Sequence, residues 1–147
     1  MSGDIVFRQE FEIKGGNFAR GGVVSCEVKN LLREIGLPAP SVRRAAIASY
    51  EAEMNVIMYA EQGVLDLSVT PQQIRIVVED SGPGIADIEL AMNEGYSTAT
   101  PEMRELGFGA GMGLSNIRKN TDEFEITSEV GKGTRLSMII LTDGHRP

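Results

Sequence analysis

Asp80-Ser81-Gly82-Pro83-Gly84-Ile85 closes the apolar run Ile74-Arg75-Ile76-Val77-Val78-Glu79. Its reading depends on two other stretches, Glu51-Ala52-Glu53-Met54-Asn55 and Gly107-Phe108-Gly109-Ala110-Gly111-Met112-Gly113. The run reads as a strand, so Asp80 falls at a strand end. An ionised carboxylate only accepts hydrogen bonds. In a pocket it suits the exocyclic amine of adenine and repels the carbonyl that guanine carries there. Gly82 and Gly84 let backbone approach a flat ring and permit positive φ, and Pro83 stiffens the turn. Standing alone, the same residues also make an ordinary turn between a strand and a helix.

Glu51 and Asn55 lie in a helical pattern expected to run from Ser41, a candidate N-cap, to about Gln62. Ile47, Met54 and Met58 recur on one face, with Glu51 inside that stripe and Asn55 at its edge. An acid among apolar neighbours costs free energy unless it is paired or borders a solvated cleft. Glu51 is therefore either an exposed residue on a misjudged face or a carboxylate lining a pocket. In a pocket, the amide oxygen of Asn55 is a hard ligand suited to magnesium, which keeps waters and shares phosphate oxygens. The Glu51 carboxylate, one turn away, can orient and deprotonate a nucleophile.

The glycines at 107, 109, 111 and 113 precede a helix expected from about Met112 to Asn120. Unobstructed backbone N–H groups at a helix start bind anions such as phosphate. A glycine run is equally a flexible loop. Its spacing is not the dinucleotide fingerprint, and Gly131-Lys132-Gly133-Thr134 lacks the spacing of a Walker A motif. Gly95 to Gly111, with Pro101 and little periodicity, reads as a long loop of the kind that serves as a lid.

Around these motifs strand and helix signals follow one another. Ile5 to Ile13 alternates as a half-buried strand does. Gly15-Gly16-Asn17 is a turn, with Asn17 as N-cap of a helix reaching Ile35 and ending at Gly36. Its stripe is Val24, Val28, Leu31 and Ile35. Pro38-Ala39-Pro40 separates it from the second helix. Strands are expected at Val64–Val69 and Ile74–Val78 about Thr70-Pro71-Gln72-Gln73, and at Phe124–Ser128 and Thr134–Leu141 about Gly131-Lys132-Gly133. A short helix is expected from Asp87 to about Glu94. This order implies an α/β sandwich, a two-layer α+β fold with a mixed, mainly antiparallel sheet and helices on one face.

The 147 residues carry no repeat or linker, so one domain over residues 1–142 is expected, with a disordered tail at 143–147 that holds the single histidine, His145. A net charge of −7 argues against an extended nucleic-acid contact, which needs clustered Lys and Arg. No apolar run approaches the ~18 residues of a membrane span, and the N-terminus has no signal-peptide pattern, so a cytoplasmic protein that does not engage membranes is expected. Cys26, the single cysteine, falls with Val24, Val28 and Leu31 and reads as a small packed side chain.

The order and spacing of the three motifs are more specific than any one of them. Together they resemble the GHKL (Bergerat-fold) ATP-binding superfamily of gyrase-type ATPases, Hsp90 chaperones, histidine kinases and anti-sigma-factor serine kinases. The resemblance covers nearly the whole chain. Glu51 and Asn55 match the N box; Asp80, Gly82 and Gly84 match the G1 box. Gly109, Gly111 and Gly113 match the glycine-rich end of the lid, and Gly133-Thr134 matches the Gly-Thr that opens the last strand. The small size, Tyr59-Ala60 after the N box and Asp122-Glu123-Phe124 make the chain most similar to the RsbT-type switch serine kinases and the RsbW-type anti-sigma factors. RsbW-type members commonly carry a histidine four residues after the N-box asparagine. Tyr59 stands there, which favours the switch-kinase type.

The resemblance implies ATP and Mg2+ as cofactors. Asn55 would ligate magnesium, and Glu51 would be the general base on a partner's Ser or Thr hydroxyl. Asp80 would bind the adenine amine, with Thr134 helping through water. Gly82, Gly84 and Ile85 would shape the adenine pocket. Gly109, Gly111, Met112 and Gly113 would hold phosphates beneath the lid, with Arg104 and Arg118 as the nearest cations. The implied activity is that of an ATP-dependent protein serine/threonine kinase in a partner-switching system. Its substrate would be a STAS-domain regulator, with a sigma factor or a downstream phosphatase as a further partner. The alternative is a nucleotide-gated anti-sigma module with little phosphoryl transfer. The oligomeric state is left open.

Overall fold

The computed structural model describes residues 5–85, 88, 92 and 113–142. Among them, five strands form one sheet: β1 (Phe7–Lys14), β2 (Gln62–Val69), β3 (Gln73–Asp80), β4 (Glu123–Glu129) and β5 (Gly133–Leu141), in the order β1-β2-β3-β5-β4. The described helices are α1 (Val23–Ile35), α2 (Ala39–Tyr59) and α3 (Gly113–Lys119), with a 3-10 turn at Phe18–Arg20. The sandwich is the expected one, and its sheet is antiparallel at every described pair. Two helices, not one, separate β1 from β2, so the chain comes back antiparallel to its neighbour. A single helical crossover would have made a parallel pair.

Period-two patterning sets which face is buried. Phe11 and Ile13, Leu65, Leu67 and Val69, Ile74, Ile76 and Val78, and Leu136, Met138 and Ile140 all point inward and are buried. The residues between them, such as Glu10, Glu12, Arg75, Glu79, Glu123 and Glu125, face outward and are exposed. The helix α2 lies across β1, β2, β3 and β5, and both α1 and α3 pack on α2. One helix thus carries most of the contact between the helical layer and the sheet, with α3 also touching β4.

The first helix begins at Val23, later than the sequence implies. Asn17 precedes only the 3-10 turn, and its side chain makes no capping bond. The N-terminus of α1 is capped from α2 instead. Glu53, 1% exposed, accepts the Gly22 and Val24 N–H groups on Oε2 at 3.2 and 3.1 Å and the Ser25 N–H on Oε1 at 3.0 Å. A carboxylate here answers both the unpaired donors and the positive end of the helix dipole. The buried stripe of α1 is Val24, Val28 and Leu32, while Ile35 at the far end is exposed. Cys26 is exposed, not packed, because it lies nearly opposite Val24 around the helix.

The second helix starts before Ser41. Pro38 is its N-cap residue, and Ser41, inside the first turn, donates to the Leu141 carbonyl at 3.2 Å. It ends at Tyr59, short of Gln62, which opens β2. The helix expected over Asp87 to Glu94 lies outside the described residues except Ile88 and Met92, whose N–H donates to the Ile88 carbonyl at 3.0 Å. The loop Gly95 to Gly111 and the tail 143–147 also lie outside the described residues. No described helix is long and apolar enough to cross a membrane.

Replacing Glu53 with alanine strands three backbone donors at the start of α1. Glu53→Ala is expected to lower unfolding free energy by about 2–4 kcal/mol in urea denaturation, with Glu53→Gln losing less because it keeps an acceptor. A loss below about 0.5 kcal/mol for the alanine variant would show that the cap contributes little.

Candidate functional site

The antiparallel register of β3 and β5 pairs Glu79 with Arg135, so the end of β3 meets the start of β5. Gly133 has φ 139°, and a Cβ there would collide with the Asp80 carbonyl oxygen. Only glycine permits that approach. It brings the Thr134 N–H to Asp80 Oδ1 at 3.2 Å. The same oxygen accepts the Gly82 N–H at 2.8 Å. The ordinary-turn reading of this segment therefore holds. Oδ1 closes the turn, and Oδ2 is left without a hydrogen-bond partner among the described residues.

The rest of the turn is fixed from behind. Gly84, at φ 81°, leaves no room for a side chain against the Glu129 carbonyl. Ser128 on β4 accepts the Ile85 N–H at 2.7 Å and lies 2.9 Å from the Thr134 hydroxyl and 3.1 Å from the Gly133 carbonyl. Ser128 was not singled out in the sequence. Its signal is a serine at the inward position that follows Phe124 and Ile126 on the same strand. Gly82 is buried, and a Cβ on it would meet Ala60 Cβ and the Tyr59 carbonyl at 3.1 Å. The Tyr59-Ala60 pair is thus the backing of the turn.

Glu51 and Asn55 precede Tyr59 on α2. The buried stripe of that helix is Val42, Ala45, Ala48, Ala52 and Val56, with Met54 and Ile57 beside it. Ile47 and Met58 are half-buried, so the stripe read from the sequence is the helix flank and not its core. Glu51 sits on that flank, half-buried and facing α3. Asn116 Nδ2 donates to Glu51 Oε2 at 3.1 Å, and a Cβ on Gly113 would come within 3.5 Å of Glu51 Oε1. Burial pushes the Glu51 carboxyl above its ordinary value of 4.5, and the Asn116 bond pulls it partly back. Asn55, one turn on, is half-buried, and its amide has no partner among the described residues.

Two groupings result: Glu51 and Asn55 on α2 with Gly113 of α3 beside Glu51, and Asp80, Gly82, Gly84, Ile85 and Thr134 where the end of β3 meets the start of β5. Gly109, Gly111, Met112 and Arg104 lie outside the described residues, and Arg118 is exposed on α3. No cluster of three His, Cys, Asp or Glu residues suited to a metal occurs among the described residues. The Asn55 amide oxygen, without a partner among the described residues, fits a cation held mostly by phosphate oxygens and water.

Residues 22–140 match the histidine kinase-like ATPase domain, and the chain belongs to that family of ATP-binding domains. It is 30% identical over 115 residues to the serine/threonine-protein kinase RsbT of Bacillus subtilis (strain 168), covering 76% of this chain and 80% of that one. It is also similar to the anti-sigma F factors of Clostridium kluyveri (strain NBRC 12016), at 31% identity, and Thermoanaerobacter pseudethanolicus, at 34%. Those two matches each run over 98 residues, 67% of this chain and 61% of the relative, so they span less than two thirds of the anti-sigma F factors.

A raised carboxyl pKa has a signed consequence for stability. Glu51 holds its proton more tightly folded than unfolded, so its stabilising share is complete below about pH 4.5 and is lost as pH rises through the higher folded value. At neutral pH the ionised group is a burden. Glu51→Gln should therefore raise the melting temperature at pH 7.5, and the gain should shrink as pH falls towards 4.5. A pH-independent difference between the two proteins would contradict the burial argument.

Proposed function

We propose that the protein is a cytoplasmic, ATP-dependent protein serine/threonine kinase of a partner-switching system, built as one domain over residues 1–142. Its substrate is a STAS-domain regulator. The observation that carries the reading is Asp80, whose Oδ1 is fixed by two backbone N–H groups while Oδ2 has no hydrogen-bond partner among the described residues. A fixed acceptor-only oxygen recognises the adenine amine and leaves a repulsive pair with guanine. Similarity to RsbT supports the kinase assignment.

The other residues follow along α2. From Tyr59 at the adenine turn to Glu51 is eight residues, or about 12 Å of helix axis, a span suited to laying a nucleoside triphosphate along it. Asn55 falls midway and would hold Mg2+ through its amide oxygen. The bound cation would neutralise charge on the phosphates. Gly113 and the glycines before it would give the phosphates backbone N–H groups. Glu51 would accept the proton of a partner's hydroxyl as its oxygen bonds to the γ-phosphorus, the bond to the β-phosphate oxygen breaks and ADP leaves. The raised pKa of Glu51 suits an acid–base role.

The anti-sigma F relatives favour a second reading, a module that sequesters a sigma factor under nucleotide control. Incubation with γ-labelled ATP and candidate STAS-domain proteins separates the two. The kinase reading expects acid-stable label on a partner Ser or Thr and little on the protein itself. Label on no partner, together with nucleotide-dependent sigma-factor binding, would replace it.

Calorimetry should show Mg-ATP bound in preference to Mg-GTP, and Asp80→Asn should greatly weaken ATP binding. Equal ATP and GTP affinity would remove the adenine-pocket assignment. Asn55→Ala should impair both binding and transfer. Glu51→Ala should spare ATP affinity and slow transfer by about 10²–10⁴-fold. Full transfer activity in Glu51→Ala would show that another group is the base.

A further inference from the structure

We propose that Asn116 is the positioning residue for Glu51, holding one carboxylate oxygen so that the other is presented beside the end of the glycine run. The inference rests on the assignment of Glu51 as general base. A glutamate carboxylate turns in a broad, roughly two-fold torsional well, so burial alone does not orient it. Among the described residues the one hydrogen bond to Glu51 comes from Asn116 Nδ2, to Oε2 at 3.1 Å. Oε1 is the oxygen left over. It faces Gly113, where a Cβ would come to 3.5 Å, so the missing side chain keeps that approach open.

Asn116 is itself held in place. Its neighbours Ser115 and Ile117 are buried and seat α3 against α2. Its carbonyl accepts the Asn120 side-chain amide at 2.8 Å. Gly113 and Asn116 stand one turn apart on the same helix. The open approach at Gly113 and the alignment of Glu51 are therefore set by one helix. The Asn116 amide also favours the ionised carboxylate against the larger opposing effect of burial. Among the described residues no ionised group contributes to this setting, and the charged side chains of α3, Arg118 and Lys119, are exposed.

The test uses the protein with Glu side chains 13C-labelled, with Glu51→Gln identifying the Glu51 carboxyl signal. In Asn116→Ala the Glu51 titration should move to higher pH, and Asn116→Gln, which keeps a donor, should restore part of the shift. With water in place of the partner hydroxyl, Glu51 takes the water's proton and the γ-phosphoryl leaves as inorganic phosphate. This release of ADP from Mg-ATP should fall about tenfold in Asn116→Ala at unchanged KM for ATP, the loss of one orienting hydrogen bond. In a Glu51→Gln background the Asn116→Ala change should cost nothing further. An unmoved Glu51 titration, or wild-type kcat in folded Asn116→Ala while Glu51→Gln is impaired, overturns the positioning role alone. Wild-type kcat in Glu51→Gln overturns the base assignment, and the inference falls with it.

Discussion

The oxygen Oδ1 of Asp80 is the point on which the rest of the site hangs. It receives one N–H from its own turn, at Gly82, and one from the neighbouring strand, at Thr134. The first bond shapes the loop, and the second ties that loop to the sheet. The second would be lost if β5 slipped by one residue, because the slip moves the Thr134 N–H away from Asp80 and reverses every side chain on the strand. The buried alternation of Leu136, Met138 and Ile140 excludes that slip. A core argument therefore fixes the aim of a polar atom at the sheet's end. Gly133 makes the approach sterically possible, and Ser128 gathers the surrounding backbone from the edge strand.

Two acids two residues apart on α2 illustrate how hydrogen-bond satisfaction decides what a carboxylate can do. Glu53 is the more deeply buried, yet it takes three backbone N–H groups and becomes a structural cap. Glu51 is only half-buried and has one neutral donor among the described residues, so burial raises its proton affinity and the Asn116 bond opposes it only in part. Incomplete satisfaction lowers stability and raises reactivity, the usual trade at functional positions. The helix separates the two roles by turning them to different sides, Glu53 towards α1 and Glu51 towards α3.

The sequence was most legible where a local signal and its structural consequence share a few residues. The strands, the stop at Gly36 and the turn at Thr70 are of this kind, and each lies within about two residues of its expected place. The Asp80 turn was legible as a turn. What escaped depends on partners distant in sequence. Glu53 caps a helix that starts about 30 residues earlier, so a local search for the cap settled on Asn17. The flank of α2 passed for its core because Ile47 and Met58 are apolar, while the true core positions are mostly alanines that give a weak pattern. Correct registration shows Glu51 on the rim, where the cost of an acid is moderate. Ser128 acts through tertiary contacts that no periodicity reports.

The kinase reading gains its force from how little covalent chemistry phosphoryl transfer asks of a protein. Positioning and charge stabilisation supply most of the rate, so the decisive requirement is a stiff frame that fixes the nucleotide base and the catalytic carboxylate relative to each other. Here one helix serves as that frame. Its C-terminal end backs the Asp80 turn through Tyr59 and Ala60, and its middle carries Asn55 and Glu51. The same helix is pressed on the sheet along one side and braced by α1 and α3 on the others. A displacement at either end would disturb the whole alignment. The fully buried packing of Ala45, Ala48, Ala52 and Val56 against its neighbours is therefore as much a condition of the proposed chemistry as the polar groups are.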